Sequence, residues 1–239
     1  MEKLKRFAVL CDFDGTVAKG DIGSTLFKTY AGGDEWEGLI EAWERGRIGS
    51  RDCLIQECRL AKVNREQIEA LTRQFQIDDH FSEFARWCEG HGAPLVVVSD
   101  GLDFYIELFL GRHGLSRLPV HANHLVFVEG GIRPEFPYFE HGCGKCGNCK
   151  GYHVRRHREE YEEVIFVGDG YSDRCALGEA DLVLAKTGLV RLCNLLDVPC
   201  VEITDFSDVI DALEKRIALG SKRSSPRRSQ ACHPTRPSQ

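Results

Sequence analysis

Three short apolar runs in this chain end abruptly on clusters of aspartate, glycine and hydroxyl residues. Residues 7–11 run into Asp12-Phe13-Asp14-Gly15-Thr16, residues 95–98 into Ser99-Asp100-Gly101, and residues 164–167 into Gly168-Asp169-Gly170-Tyr171-Ser172-Asp173. Runs this short, rich in Val, Ile and Leu and bounded by turn formers, read as buried strands. Residues 182–184 and 200–203 have the same form, while 81–91, 102–113, 154–163 and 206–217 carry helical apolar spacing. Alternation of helices with continuously apolar strands points to an α/β fold, a Rossmann-like parallel sheet covered on both faces. In such sheets the ligand crevice lies outside the carboxyl ends of the strands, so the three polar clusters are expected to converge on one site.

One stretch breaks the alternation. Between about residues 22 and 75 no strand-like run occurs; Trp36, Leu39, Ile40 and Trp43 fall at i, i+3, i+4 and i+7, and Ile68, Leu71 and Phe75 repeat the spacing. This predicts a helical insert at residues 18–84 within a core made of residues 1–17 and 85–219. Trp36 and Trp43 are read as packing residues of the insert. Residues 124–128, followed by Glu129-Gly130-Gly131, read as part of a hairpin beside the main sheet.

The 239 residues suffice for one core domain with a small insert. Net charge is −6, yet residues 220–239 hold five basic residues and no acid, which leaves 26 basic against 37 acidic residues in the body. The body therefore repels nucleic acid, and the Ser-, Pro- and Arg-rich end is expected to be a disordered basic tail. No stretch approaches the roughly 20 apolar residues of a membrane span. The early run at 7–11 is too short for a signal peptide. With eleven cysteines, an odd count, this points to a reducing, cytoplasmic compartment.

The chemistry follows from the strand ends. Carboxylates packed together do not all stay ionised without a counter-charge, and hard oxygen donors with positions left for water and phosphate suit Mg²⁺. Residues two apart at a strand end point the same way, so Asp12 and Asp14 can reach one substrate, one attacking phosphorus and the other handling the leaving-group proton. There is no phosphate loop of the Gly-x4-Gly-Lys-Ser/Thr type, no His-Glu-x2-His and no Gly-x-Ser-x-Gly elbow.

On these residues the chain resembles the haloacid dehalogenase superfamily of phosphohydrolases, over about residues 5–217. Four motifs match in order: DFDGT, SDG, a lysine and GDGYSD. The resemblance implies that Asp12 is the nucleophile forming an aspartyl-phosphate. It makes Asp14 first the acid for the leaving alcohol and then the base for water. It implies Mg²⁺ held by Asp12, the Asp14 backbone carbonyl and Asp169, with Asp173 in support. Ser99 and Lys150 would hold the phosphoryl group, with Thr16 and Asp100 also placed at the substrate phosphate.

The insert resembles the small helical cap of the phosphoserine phosphatase-like branch. That branch grips its amino acid with a glutamate and an arginine, and the corresponding positions here are Asp21 and Glu57. A reversed charge opposite a substrate carboxylate demotes serine, although Arg51 or Arg59 could compensate. The better resemblance is to the methionine-salvage branch, the 2-hydroxy-3-keto-5-methylthiopentenyl-1-phosphate phosphatases and their relatives. It shares Gly101 to Phe104, Ala122-Asn123-His124 and a cysteine-rich loop before the lysine. The expected substrate is a small phosphorylated metabolite of this kind. The alternatives are phosphoserine, phosphocholine or phosphoethanolamine, phosphotransfer to a second alcohol, and an inactive phosphate- or zinc-binding interaction module.

The cysteine loop places Cys143, Cys146 and Cys149 at Cys-x2-Cys-x2-Cys, with His141 or His153 as candidate fourth ligand. This spacing is expected to bind a structural Zn²⁺ that fixes the backbone presenting Lys150.

Overall fold

The computed structural model describes residues 5–31 and 33–219; the basic tail expected at 220–239 lies outside them. The elements in chain order are β1 (Lys5–Cys11), α1 (Ile22–Tyr30), α2 (Asp34–Glu44), α3 (Ser50–Leu60), α4 (Arg65–Thr72) and α5 (Phe81–Gly90). There follow β2 (Leu95–Leu102), α6 (Asp103–Arg112), β3 (Val120–Val128), β4 (Gly131–Glu135), α7 (Lys150–His157) and β5 (Tyr161–Gly168). The chain closes with α8 (Arg174–Leu177), β6 (Leu182–Ala185), α9 (Thr187–Leu195), β7 (Val201–Glu202) and α10 (Phe206–Ala218).

The strands form a single sheet in the order β4-β3-β2-β1-β5-β6-β7, parallel throughout except for β4. Successive side chains of the central strands bury on opposite faces. Val9, Cys11, Val97, Ile165 and Val167 join a cluster with Phe84 and Cys88 of α5 and Phe206 and Val209 of α10. Ala8, Leu10, Val96, Val98 and Phe166 meet Val154 of α7 and Ala176 of α8 on the other face. The expected α/β architecture is therefore present, with both faces of the sheet covered.

Register positions the polar clusters. Cys11 is level with Val97 of β2 and with Val167 of β5, which sets Asp12 beside Gly168 and lets Ser99 emerge two residues further along β2. The sheet grows from β1 through β2 and β3 on one side, then through β5, β6 and β7 on the other. β1 is thus the topological switch point where a crevice opens.

Helices α1 to α4 occupy the stretch between β1 and β2 that lacks strand signals. The chain leaves and returns through a short antiparallel stem, with Ala18 opposite Ile77 and the Asp78 N–H donating to the Val17 carbonyl. Asn64 and Gln67 cap α4 reciprocally, and Asp21 caps α1 by accepting from the Ser24 N–H at 2.6 Å. Ile22, Leu26, Leu54, Ile68 and Leu71 bury in the same cluster as Phe13 and Tyr105.

Several boundaries differ from those the pattern predicts. The segment 124–128 is the distal half of β3, whose first residues pair in parallel with β2, so the β3–β4 hairpin forms the edge of the main sheet. His121, Asn123 and His124 interrupt the apolar pattern of β3, and Pro134 sits on the outermost strand, where a missing N–H is tolerated. The helix expected at 154–163 begins at Lys150 and ends at His157, and Tyr161 already belongs to β5. Helix α9 carried no anticipated signal. The helix of Ile68 and Leu71 stops at Thr72, before Phe75.

Candidate active site

The carboxyl ends of β1, β2 and β5 open into a cavity of about 330 Å³ whose far wall is built by α1, α2 and α3. Asp12, Asp14, Ser99, Asp100 and Asp169 all line it, alongside Asp21, Trp43 and Glu57 from the helical insert. Residues from all three of the anticipated strand ends therefore face one space.

Beneath its floor, behind Asp12, Lys150 from the first turn of α7 is 1% exposed and donates to Asp12 Oδ1 at 2.5 Å, Asp173 Oδ1 at 2.6 Å and Ser172 Oγ at 3.0 Å. Burial alone would push its ammonium down, but the flanking Asp12 and Asp173 more than reverse this and hold it above the ordinary lysine range. Carboxylate oxygens of Asp12, Asp169 and Asp173 lie within 4.8 Å of one another. Three carboxylates against one ammonium leave an excess of negative charge. Burial first, and then Asp173, push the Asp12 carboxyl well above the usual carboxylate range; burial and Asp173 also raise Asp169. A hard divalent cation would relieve that excess, so this donor set fits Mg²⁺. The backbone is shaped around it: a Cβ at Gly15, whose φ is +75°, would stand 2.2 Å from Asp169 Oδ2.

Asp173 reaches the cluster with both oxygens engaged. Oδ1 accepts from Lys150, and Oδ2 accepts from the Asp169 and Gly170 N–H groups at 2.9 and 3.0 Å. It is built to hold the lysine and the loop that carries Asp169.

Asp14 turns the other way, toward the N-terminus of α1. Its Oδ1 accepts from the Ile22 N–H at 2.7 Å and the Gly23 N–H at 3.4 Å, and its Oδ2 from the Tyr105 hydroxyl at 2.8 Å. Burial and the nearby Asp21 charge raise its pKa to about 8 despite these donors. A carboxyl held protonated near neutrality suits a general acid. Tyr105 was not anticipated; its signal was its place on the first turn of a helix that starts directly after a motif strand.

Ser99 is buried at the cavity edge, where its Oγ accepts from the Gly101 N–H at 3.0 Å. The Asp100 carboxylate accepts from Ser50 Oγ, from the Asn148 N–H at 2.7 Å and from the Asn123 amide at 3.2 Å. It ties the end of β2 to α3 and to the cysteine loop. Thr16 does not reach the cavity: it is fully buried, and its hydroxyl has no hydrogen-bond partner among the described residues.

The insert supplies a wall unlike a carboxylate grip. No Lys, Arg or His side chain lines the cavity among the described residues, whereas Asp21, Glu44 and Glu57 do. Arg51 and Arg59 line a separate groove against β4, with the Arg51 guanidinium 4.5 Å from the Phe139 ring centre. Trp36 packs against the main core, as expected, but Trp43 faces the cavity. Its ring meets Tyr171 edge-on at 5.2 Å, linking α2 to the loop of Asp169.

Glu57 is 7% exposed and accepts from Trp36 Nε1 at 2.9 Å. Burial raises its pKa to about 7, with the Trp36 bond opposing and Asp21 adding to the shift. The folded value lies above the unfolded one, so the stability carried by protonated Glu57 is full below about 4.5 and is lost as pH rises toward 7. Glu57→Gln keeps an acceptor for Trp36. It is expected to stabilise the protein by about 3 kcal/mol at pH 8 and to change little at pH 4.5, which thermal unfolding at the two pH values measures.

In the cysteine loop, neither anticipated histidine joins the thiols. His153 Nε2 bonds Asn148 Oδ1 at 2.6 Å, and the His141 ring lies against Tyr152. The fourth group beside Cys143, Cys146 and Cys149 is Cys175 of α8.

Residues 9–178 match the profile of the haloacid dehalogenase-like hydrolases. The 2-hydroxy-3-keto-5-methylthiopentenyl-1-phosphate phosphatase of Geobacillus thermodenitrificans is 30% identical over 218 residues, covering 88% of this chain and 97% of that protein. The enzyme of the same name from Brevibacillus brevis is 28% identical, with 88% and 96% covered. The bifunctional enzyme MtnB/MtnX of Bacillus licheniformis is 30% identical over 95% of this chain, which spans 54% of that longer protein. Among solved structures, a phospho-aspartyl intermediate analogue of phosphoserine phosphatase superposes with a TM-score of 0.67 at 22% identity, covering 88% of this chain and 99% of that one. That likeness is one of fold. No helix among the described residues is long and apolar enough to cross a membrane.

Proposed function

The chain belongs to the haloacid dehalogenase-like hydrolases, and from that membership we propose a Mg²⁺-dependent phosphatase that hydrolyses a small phosphomonoester of the 2-hydroxy-3-keto-5-methylthiopentenyl-1-phosphate kind. It is a phosphoric monoester hydrolase. The observation that carries the reading is Asp12, Lys150 and Asp169 gathered at three chain segments beneath one cavity.

Asp12 attacks phosphorus and forms an aspartyl-phosphate; the alcohol oxygen leaves with the proton that Asp14 holds. Asp14, now ionised, takes a proton from the water that attacks the acyl phosphate, and inorganic phosphate departs. Lys150 and the Ser99 hydroxyl face the phosphoryl oxygens, and Asp173 keeps Lys150 aimed. Asp12, the Asp14 carbonyl and Asp169 would hold Mg²⁺, which when bound would supply charge neutralisation for the transferring phosphoryl group. The insert at 18–84 acts as a cap that excludes water and reads the alcohol. Its Phe27, Ile40, Leu54 and Trp43 suit an apolar methylthio tail. A structural Zn²⁺ on Cys143, Cys146 and Cys149 and a cytoplasmic location, in keeping with many buried thiols, complete the reading.

Phosphate release from a panel of esters, with Mg²⁺ and with EDTA, tests it. The methylthiopentenyl ester is expected to be cleaved best and only with metal. Phosphoserine should have a kcat/KM at least about 100-fold lower, because its carboxylate would be buried beside Asp21 and Glu57 without a cation. Preference for phosphoserine would overturn the substrate, and no release from any ester would overturn the phosphatase.

A further inference from the structure

We propose that Cys175 completes a four-thiolate Zn²⁺ site with Cys143, Cys146 and Cys149, and that this site clamps together the two segments carrying Lys150 and Asp173.

The sulfur separations suit a metal cage. The four sulfur atoms lie within 4.8 Å of one another, and Cys146 Sγ is 3.7 Å from Cys175 Sγ. A tetrahedron with Zn–S bonds of 2.3 Å places its sulfurs about 3.8 Å apart, whereas a disulfide would need about 2.05 Å. The cluster is also separate from the apolar cores. Its members are these cysteines and Tyr152, a composition with little aliphatic surface to justify it as packing. Cys146, Cys149 and Cys175 are buried and Cys143 is partly so, as in a closed structural site with no position left for water.

The backbone is built to bring the thiols in. Gly144 sits at φ +78° between the first two cysteines, and the turn it permits aims the Cys146 N–H at Cys143 Sγ, 3.4 Å away. Such N–H donors to sulfur are the supporting contacts that tune a thiolate site. Gly151 lets α7 approach α8, since a Cβ there would lie 2.3 Å from the Cys175 carbonyl oxygen.

The position gives the site its purpose. Cys149 precedes Lys150 directly, and Cys175 follows Asp173 by two residues, so the metal would join both ends of the buried Lys150–Asp173 pair. The same loop reaches the helical insert through the Arg51 N–H on the Lys145 carbonyl at 3.2 Å, and the end of β2 through Asn148 on Asp100. The zinc site stands on its own geometry; its effect on turnover rests on the phosphatase reading.

Metal analysis of the full chain, purified without chelator and dialysed against excess Mg²⁺, tests the site independently of hydrolysis. One zinc ion per chain should remain and be released by a mercurial thiol reagent. Cobalt in its place should show the charge-transfer and visible bands of a tetrahedral four-thiolate complex. Cys175→Ser should weaken zinc binding about 100-fold or more and change the cobalt spectrum, while Cys193→Ser, in a separate buried cluster, should leave both intact. If Cys175→Ser does not fold, the wild-type cobalt spectrum decides the ligand count. Zinc absent from the wild-type protein, iron in its place, a three-thiolate spectrum, or unchanged affinity in Cys175→Ser would each overturn the proposal.

Discussion

Replacing Asp12 by asparagine is expected to lower turnover by on the order of 10⁴-fold or more while the fold persists. The amide matches the carboxylate in shape and keeps an oxygen for Lys150, which donates to Asp12 Oδ1 at 2.5 Å, so packing at this buried position should survive. What disappears is the nucleophile. Stability sharpens the test. Asp12 is one of three carboxylates facing a single ammonium, and burial with Asp173 pushes its carboxyl upward. Removing its charge relieves repulsion, so without metal the variant should unfold at a temperature no lower than the parent. Added Mg²⁺ should stabilise it less than it stabilises the parent. An inactive variant that is also strongly destabilised would point to a scaffold role instead.

Asp14→Asn is expected to cost about 10²–10⁴-fold in kcat for alkyl phosphates, and its signature is the dependence on leaving group and pH. The asparagine oxygen still accepts from the Ile22 and Gly23 N–H groups, and its amide N–H can donate to the Tyr105 hydroxyl, so the entry to α1 should hold. An aryl phosphate, whose oxygen leaves without a proton, should lose much less in the first step and accumulate phosphoenzyme, because the base for the second step is also gone. The parent carries a proton on Asp14 below about pH 8. Its kcat/KM for an alkyl ester should therefore fall as pH rises through that region, and the variant should lack this limb. Equal losses for alkyl and aryl esters, with the alkaline limb retained, would remove Asp14 from proton transfer.

Much of this site was legible because it obeys a local rule. Short apolar runs of a parallel sheet end where the ligand crevice opens, so the residues directly after β1 and β5 and those at the end of β2 announced themselves by position. Lys150 was legible only through the family's motif order, since its partners Asp12 and Asp173 are 138 and 23 residues away. Tyr105 and Cys175 were missed for the same physical reason: each belongs to an ordinary helical segment and meets its partners through tertiary packing alone. Thr16 shares a motif with Asp12 and Asp14 but, after the turn at Gly15, it is fully buried and does not line the cavity. Trp43 had the spacing of a packing residue, yet α2 buries none of its residues fully, and one edge of the helix faces the cavity. Periodicity identifies a helix face without revealing what that face meets.

The most direct test of the phosphoryl-transfer account is chemical trapping of Asp12. Borohydride reduces an acyl phosphate to an alcohol, so quenching the enzyme during turnover should convert Asp12 to homoserine, read by peptide mass spectrometry. The account predicts homoserine at position 12 when Mg²⁺ and substrate are both present, and none with EDTA or in Asp12→Asn. Phosphate release that proceeds with Asp12 unmodified, or with another carboxylate reduced in its place, would contradict it.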